Sequence, residues 1–193
     1  MRKVLVGFMV LMWAMSTVLA AGAREPAPRS SGVHCVSRFV PLGPAHHRVQ
    51  RGTARSLGCY ESFSAAIQAG SGGAIVLPSW VTPASVTDAI LEAATIRPLR
   101  GSALVGTEYN GLDYDGSSHN YFGPSTCQDE IIEFTNLPAG EDDVYESGKG
   151  FGGCDHNKKF VGPWLAGDSI TCTPNCTGYG SLRNEVSSLR YRP

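Results

Sequence analysis

Hydrophobic positions in this chain fall in short clusters broken by Gly, Pro, Asn and Asp, and their period changes partway along. In residues 62–69 the spacing is helical. Phe63, Ala66 and Ile67 share a face, Glu61 or Ser62 can cap the start, and Gly70 stops it. Residues 82–94 predict a second short helix, with Pro83 near its start and Thr87-Asp88-Ala89-Ile90-Leu91-Glu92 as its core. Between them Ala74-Ile75-Val76-Leu77 reads as a strand bounded by Gly72-Gly73 and Pro78. Upstream, residues 34–40 predict a short strand and residues 41–56 a loop. Residues 96–101, around Pro98, form a connector.

From Ala103 onward the pattern turns to strands: 103–109, 114–122 with a hairpin, 131–134, one near Tyr145, then 158–160, 169–172 and 186–191. Residues 136–140 read as a turn and 142–147 as a loop. The Gly-rich residues 148–153 join two units. Short strands with turn signals about every 8–12 residues predict a sandwich or barrel. The sharpest local signal is Glu108-Tyr109-Asn110-Gly111-Leu112-Asp113-Tyr114-Asp115-Gly116-Ser117-Ser118. It predicts a tight hairpin pinned by Tyr109 on Tyr114, a pair that contributes about 0.5–1.5 kcal/mol beyond its burial. Gly116 suits a positive φ.

The chain opens with Met1-Arg2-Lys3, an apolar stretch to Met15, and then Ser16-Thr17-Val18-Leu19-Ala20. This is the pattern of a secretory signal over residues 1–20, with cleavage as late as residue 23 an alternative. Residues 21–33, rich in Pro, Ser, Ala and Arg, predict a flexible tail. No later apolar run is long enough to span a membrane as a helix. Export gives the cysteines a role. All six (Cys35, Cys59, Cys127, Cys154, Cys172, Cys176) follow the leader, and an even count in an oxidising compartment implies disulfides. Sequence leaves many connectivities open. The expectation adopted is sequential pairing: Cys35 with Cys59, Cys127 with Cys154, Cys172 with Cys176. Zinc is the rival use, but CxxC spacing is missing and the adjacent His46-His47 do not complete a site.

Charge is uneven. Residues 21–102 carry 8 Arg against 4 acids, a formal +4, whereas residues 103–193 carry 6 Lys or Arg against 13 acids, a formal −7. The shift suggests two regions, a small α/β region over 34–102 and a β region over 103–193. The acidic half could serve hard cations. Without a clustered basic stripe, nucleic acid is excluded as a partner.

Residues 103–147 and 154–193 can be laid side by side. Each opens on a strand and then carries aromatic-x-Gly, Tyr114-Asp115-Gly116 in one and Phe160-Val161-Gly162 in the other. Each ends in a polar segment, Asp142-Asp143-Val144-Tyr145-Glu146-Ser147 and Arg183-Asn184-Glu185-Val186-Ser187-Ser188. A single such unit buries too little, so duplicated units pack as two sheets over a shared core. These residues resemble the Greek-key motifs of βγ-crystallins. The wider layout is similar to secreted actinobacterial proteins with such a domain at the C-terminus. The resemblance implies a mainly β fold, a βγ-crystallin-like two-motif Greek-key sandwich over 103–193, preceded by a small mixed α/β N-terminal segment. It also implies calcium held where the two polar segments cross, with Asp143, Glu146, Asn184 and Ser187 as the candidate ligands. Calcium takes roughly six to eight oxygens. Glu146 stands where the pattern has Ser or Thr, and Arg183 where it has Asn or Asp, so weak binding or none is expected.

No HExxH or GxSxG is present, paired cysteines leave no thiol nucleophile, and the Gly-rich stretches lack the lysine of a phosphate loop. Asp155-His156 beside Cys154 is the most enzyme-like neighbourhood, but it lacks a nucleophile. The reading is a secreted, non-enzymatic binding or structural protein, with calcium as a candidate ligand. Its partner would be an extracellular protein or a component of the cell envelope. The first alternative is a protease inhibitor, metalloproteases included, presenting Cys172-Thr173-Pro174-Asn175-Cys176 as a rigid loop. The second is an antimicrobial or toxin-like protein. Asn175-Cys176-Thr177 matches a glycosylation acceptor pattern.

Overall fold

The computed structural model describes residues 32–99 and 101–193. The leader and nearly all of the tail expected over 21–33 lie outside them. Nine strands and two helices follow in the order β1 (His34–Pro41), β2 (Val49–Tyr60), α1 (Phe63–Gly70), α2 (Asp88–Ala93), β3 (Ala103–Tyr109), β4 (Ser118–Gly123), β5 (Ile131–Phe134), β6 (Ser147–Gly150), β7 (His156–Gly162), β8 (Ala166–Cys172) and β9 (Ser188–Arg192). The fold is mainly β. Helix α1 starts where Ser62 accepts the Ala65 N–H, and α2 where Thr87 accepts the Ile90 N–H.

The strands form one continuous sheet in the order β6-β3-β4-β1-β2-β5-β9-β7-β8. Within it, β3 pairs antiparallel with β4 and β6, and β7 pairs antiparallel with β8 and β9. The third strand of each unit crosses to the other: β5 pairs with β9, and Cys176 bridges to Gly148 of β6. Two Greek-key units therefore share their sheets, as the duplication predicts.

The hydrogen bonds repeat across a pseudo-two-fold. The Ser147 hydroxyl donates to Gly111 O (2.6 Å) and accepts the Tyr114 N–H (3.2 Å). The Ser188 hydroxyl donates to Gly162 O (2.6 Å) and accepts the Leu165 N–H (3.1 Å). Asp113 N–H reaches Thr177 O (2.8 Å) and Trp164 N–H reaches Thr135 O (2.7 Å). Each buried serine thus clamps a folded hairpin onto its own unit, and each hairpin tip is held by the strand that crosses over.

This repeat corrects the alignment read from sequence. Tyr109, Tyr114 and Gly116 correspond to Phe160, Leu165 and Gly167, not to a motif at Phe160-Val161-Gly162. Gly116 and Gly167 both have φ +78°, whereas Gly162 is extended at φ −113°. Tyr109 and Tyr114 stack edge-on at 5.5 Å. In the second unit Leu165 replaces the aromatic, so no ring marks the position.

Two further corrections concern strands. Residues 41–56 are largely strand, not loop: β1 and β2 form a hairpin whose tip, His47 and Arg48, has positive φ at both positions. The Val49-Gln50-Arg51-Gly52-Thr53 stretch becomes strand because β5 pairs with it from Val49 to Gly52 and β1 from Gly52 onward. The joiner over 148–153 contains most of β6, fully buried. A Cβ at Gly148 would collide with the Tyr179 hydroxyl, so the glycine there serves close packing.

Two cores result. Phe39, Val105, Tyr121, Phe134, Leu189 and Tyr191 belong to the core between the shared sheets. Val36, Phe63, Ile67, Leu91, Leu104 and Phe122 belong to a second core beneath the helices. β3 and β4 are buried along their whole lengths as a result. The helices and the β1–β2 hairpin are thus built onto the crossed units.

Replacing Gly167 by Ala places a Cβ 2.7 Å from Val161 Cγ2 at a positive φ. Chemical denaturation is expected to show a loss of about 1–3 kcal/mol. Gly43→Ala, in open space, is expected to stay within about 0.5 kcal/mol of the parent.

Candidate functional site

The two polar segments meet where the units cross. Asp143 and Asn184 both adopt left-handed backbone, φ 57° and 58°, a conformation that Asp and Asn tolerate better than most residues. Asp143 N–H donates to Val186 O (3.1 Å) and Asn184 N–H to Tyr145 O (2.8 Å), so each segment ties its turn to the other. The four sequence-predicted residues come together in two pairs. The Ser187 hydroxyl is 3.5 Å from Asp143 Oδ1, and Asn184 Nδ2 donates to Glu146 Oε1 at 3.2 Å.

The two lobes differ in charge. Arg183 Nη1 lies 3.7 Å from Glu146 Oε2, so the Glu146–Asn184 lobe carries its own cation. The Asp143–Ser187 lobe has no such partner among the described residues. Next to it in sequence, Asp142 Oδ1 is buried with no hydrogen-bond donor among the described residues. No group of three or more His, Cys, Asp or Glu side chains able to hold a metal occurs among the described residues. The described donors, Asp143 with Ser187 in one lobe and Glu146 with Asn184 in the other, fall short of the roughly six to eight oxygens that calcium takes.

Sequence reasoning missed two buried carboxylates inside the crossed units. Glu108 on β3 accepts hydrogen bonds from Lys159 Nζ on β7, from the Tyr179 hydroxyl and from the Tyr191 hydroxyl on β9 (2.6 Å). Glu108 and Lys159 are both fully buried. Glu141 accepts from the Ser37 hydroxyl on β1 (2.5 Å) and the Tyr121 hydroxyl on β4 (2.6 Å), and Tyr121 shares a further hydrogen bond with Tyr145 (2.6 Å). Burial pushes Glu141 up, but the polar contacts of His119, Ser37 and Tyr121 outweigh it and hold the carboxyl below its ordinary range. The available signal was an acid inside an apolar strand, Ala103-Leu104-Val105-Gly106-Thr107-Glu108-Tyr109, where an unpaired charge would be very costly.

A serine and a histidine also meet: His34 Nδ1 lies 2.9 Å from the Ser118 hydroxyl. Both are fully buried, and burial lowers the His34 pKa. Asp155 is exposed at the start of β7 beside half-buried His156, and no thiol is free among the described cysteines. The disulfides pair Cys35 with Cys59, Cys127 with Cys154 and Cys172 with Cys176.

No family model and no curated protein matches the chain. Solved structures similar to it are βγ-crystallin domains. The N-terminal domain of Protein S matches at 22% identity over 45% of this chain and 93% of that one, TM-score 0.34. A βγ-crystallin domain from Clostridium beijerinckii matches at 14% identity over 46% and 97%, TM-score 0.36. A βγ-crystallin from Ciona intestinalis matches at 17% identity over 44% and 94%, TM-score 0.34. At these scores the crossed architecture stands on the repeated hydrogen bonds of the chain itself.

The buried phenols make stability pH-dependent on the alkaline side. Burial first, and then the neighbouring acids, raise Tyr121, Tyr145, Tyr179, Tyr191 and Tyr109 well above 10.0. An unfolded chain loses those protons near pH 10 while the native one keeps them. Their stabilisation is therefore complete below about pH 10 and is lost as pH rises beyond it. Lys159 and Lys149, both lowered by burial, work in the opposite sense up to their unfolded values. Phenolate absorbance from these five is expected to appear together with loss of near-ultraviolet dichroism. A full phenolate signal from a chain still folded would contradict this.

Proposed function

We propose that this chain is a secreted, non-enzymatic module whose crossed Greek-key body serves as a rigid extracellular scaffold for binding. The observation that carries the reading is the complete pairing of the described cysteines in three disulfides. Structural disulfides of this kind belong to oxidising compartments. The polar chemistry of the interior supports it, because Glu108, Glu141 and the His34–Ser118 pair are spent on one another inside the fold. No helix among the described residues is long and apolar enough to cross a membrane.

Calcium enters as a weak ligand of the Asp143–Ser187 lobe, with Arg183 opposing it at the other. A bound ion would tie the two crossing segments together and add stability in proportion to its occupancy. The inhibitor loop gains no support from its surroundings. Pro174 O accepts the Gly150 N–H (3.2 Å), and Cys176 exchanges backbone hydrogen bonds with Gly148. The main chain a protease would grip is thus already committed to β6. Nothing in the geometry favours the antimicrobial reading.

Expression from the native leader tests the module reading. The protein is expected in the medium, starting between residues 21 and 24, with every cysteine oxidised by mass spectrometry. Retention in the cytosol with free thiols would overturn it. Calorimetry in millimolar calcium tests the ion separately. A small rise in Tm is expected for the parent, none for Asp143→Asn and a larger one for Arg183→Asn. Identical responses would remove calcium from the account.

A further inference from the structure

We infer that the cleft between the C-terminal end of α1 and the residues Arg97, Pro98 and Ser102 is a binding site for a phosphate-class oxyanion. It has a volume of about 420 Å³, and Arg38, Ser71, Gly72, Arg97, Pro98 and Ser102 line it. Arg38 arrives from β1 and Arg97 from the segment after α2. Arg38 Nη2 donates to Gly70 O at 3.0 Å, and Arg97 Nη2 donates to Gly72 O. Each guanidinium therefore caps a carbonyl at the negative end of a helix, which accounts for one donor apiece.

Most of their hydrogen-bonding capacity remains, because a guanidinium carries five N–H donors. Neither arginine has an acidic partner among the described residues. The ion-paired arginines among the described residues are Arg48, Arg51, Arg183 and Arg190. No carboxylate lines the cleft. Arg38 Nε is buried with no acceptor among the described residues, so the donors it can offer the cleft are those of its terminal nitrogens. The hydroxyls are already spent. Ser102 donates to Gly70 O (2.5 Å), while Ser71 donates to Gln68 O (3.1 Å) and accepts the Ile75 N–H (3.0 Å).

What the cleft offers a ligand is therefore forked N–H donors and two full positive charges. These outweigh the helix end, whose carbonyls amount to about half a negative charge. A planar carboxylate is saturated by one bidentate guanidinium. Two guanidinium groups lining one cleft from separate elements suit a tetrahedral oxyanion, whose oxygens point in more than one direction. The same chemistry comes from free phosphate or from the headgroup of an acidic lipid.

The test measures melting temperature against inorganic phosphate at constant ionic strength, and sedimentation with phosphatidic acid vesicles against phosphatidylcholine vesicles. It uses the parent, Arg97→Gln and Arg97→Lys. Arg97 is exposed, so its variants fold, and all are compared by their melting temperature without ligand. The parent is expected to show a saturable response, weakened about tenfold or more in Arg97→Gln through the lost charged hydrogen bonds. Arg97→Lys, which keeps the charge and loses the fork, is expected to fall between. A general salting effect of phosphate would not saturate and would be equal in all three. A response to free phosphate assigns the site to a soluble oxyanion. A response to phosphatidic acid vesicles alone, lost in Arg97→Gln, assigns it to a headgroup. Equal behaviour of the parent and Arg97→Gln, or no saturable response to either probe, overturns the site.

Discussion

A carboxylate sealed from water at the centre of the crossed units sets the terms for the rest of the molecule. Glu108 sits on a strand of the first unit, and its three donors, Lys159, Tyr179 and Tyr191, all come from the second. Desolvating two ions costs several kcal/mol each, and only good geometry with full hydrogen bonding offsets that. Here the carboxylate has an ammonium and two phenols, and Lys159 Nζ also lies 4.8 Å from the centre of the Tyr191 ring. The arrangement exists only when both units are present and correctly crossed. It therefore specifies their pairing as well as contributing to it.

The N-terminal region extends that logic outward. Without the hairpin the strand ladders β6-β3-β4 and β5-β9-β7-β8 would each end on a free edge, and exposed edges invite unwanted pairing. The β1–β2 hairpin covers one edge of each: β1 pairs with β4 and β2 with β5, both parallel. Glu141 anchors this addition from inside, since its donors are Ser37 of the hairpin and Tyr121 of the first unit. The helices then cover the outer face of β3 and β4. Lys149 reaches up to the carbonyls of Pro83, Ala84 and Val86, and the Tyr109 hydroxyl donates to Pro83 O at 2.8 Å. Each layer is held to the one beneath by a polar group buried against it.

The parts legible in the sequence were those governed by local rules. The helix cap at Ser62, the strand at Ala103-Leu104-Val105, the Tyr109–Tyr114 hairpin and the fact of duplication all follow from neighbours in the chain, whereas Thr87, read as part of a helix over 82–94, caps a shorter one that begins at Asp88. The strand β2 was not legible, because its residues are polar and its conformation is imposed by partners on both sides. The register of the second hairpin was hidden for a similar reason. Leu165 fills the place of an aromatic, and Phe160-Val161-Gly162 offers a decoy five residues early. The consequence of Arg183 for Glu146 depends on a distance that sequence does not contain. Glu108 and Glu141 were invisible as a pair of anchors, since their donors lie far away in the chain.

A double-mutant cycle between Glu108 and Lys159 tests most directly whether this buried network joins the two units. Glu108→Gln, Lys159→Met and the combined variant would be unfolded in denaturant alongside the parent. Each single change is expected to cost about 3–5 kcal/mol, because it strands the other charge in the core. The double variant is expected to cost clearly less than their sum, with a coupling of about 2 kcal/mol or more. Strict additivity, or single losses below about 1 kcal/mol, would contradict the account.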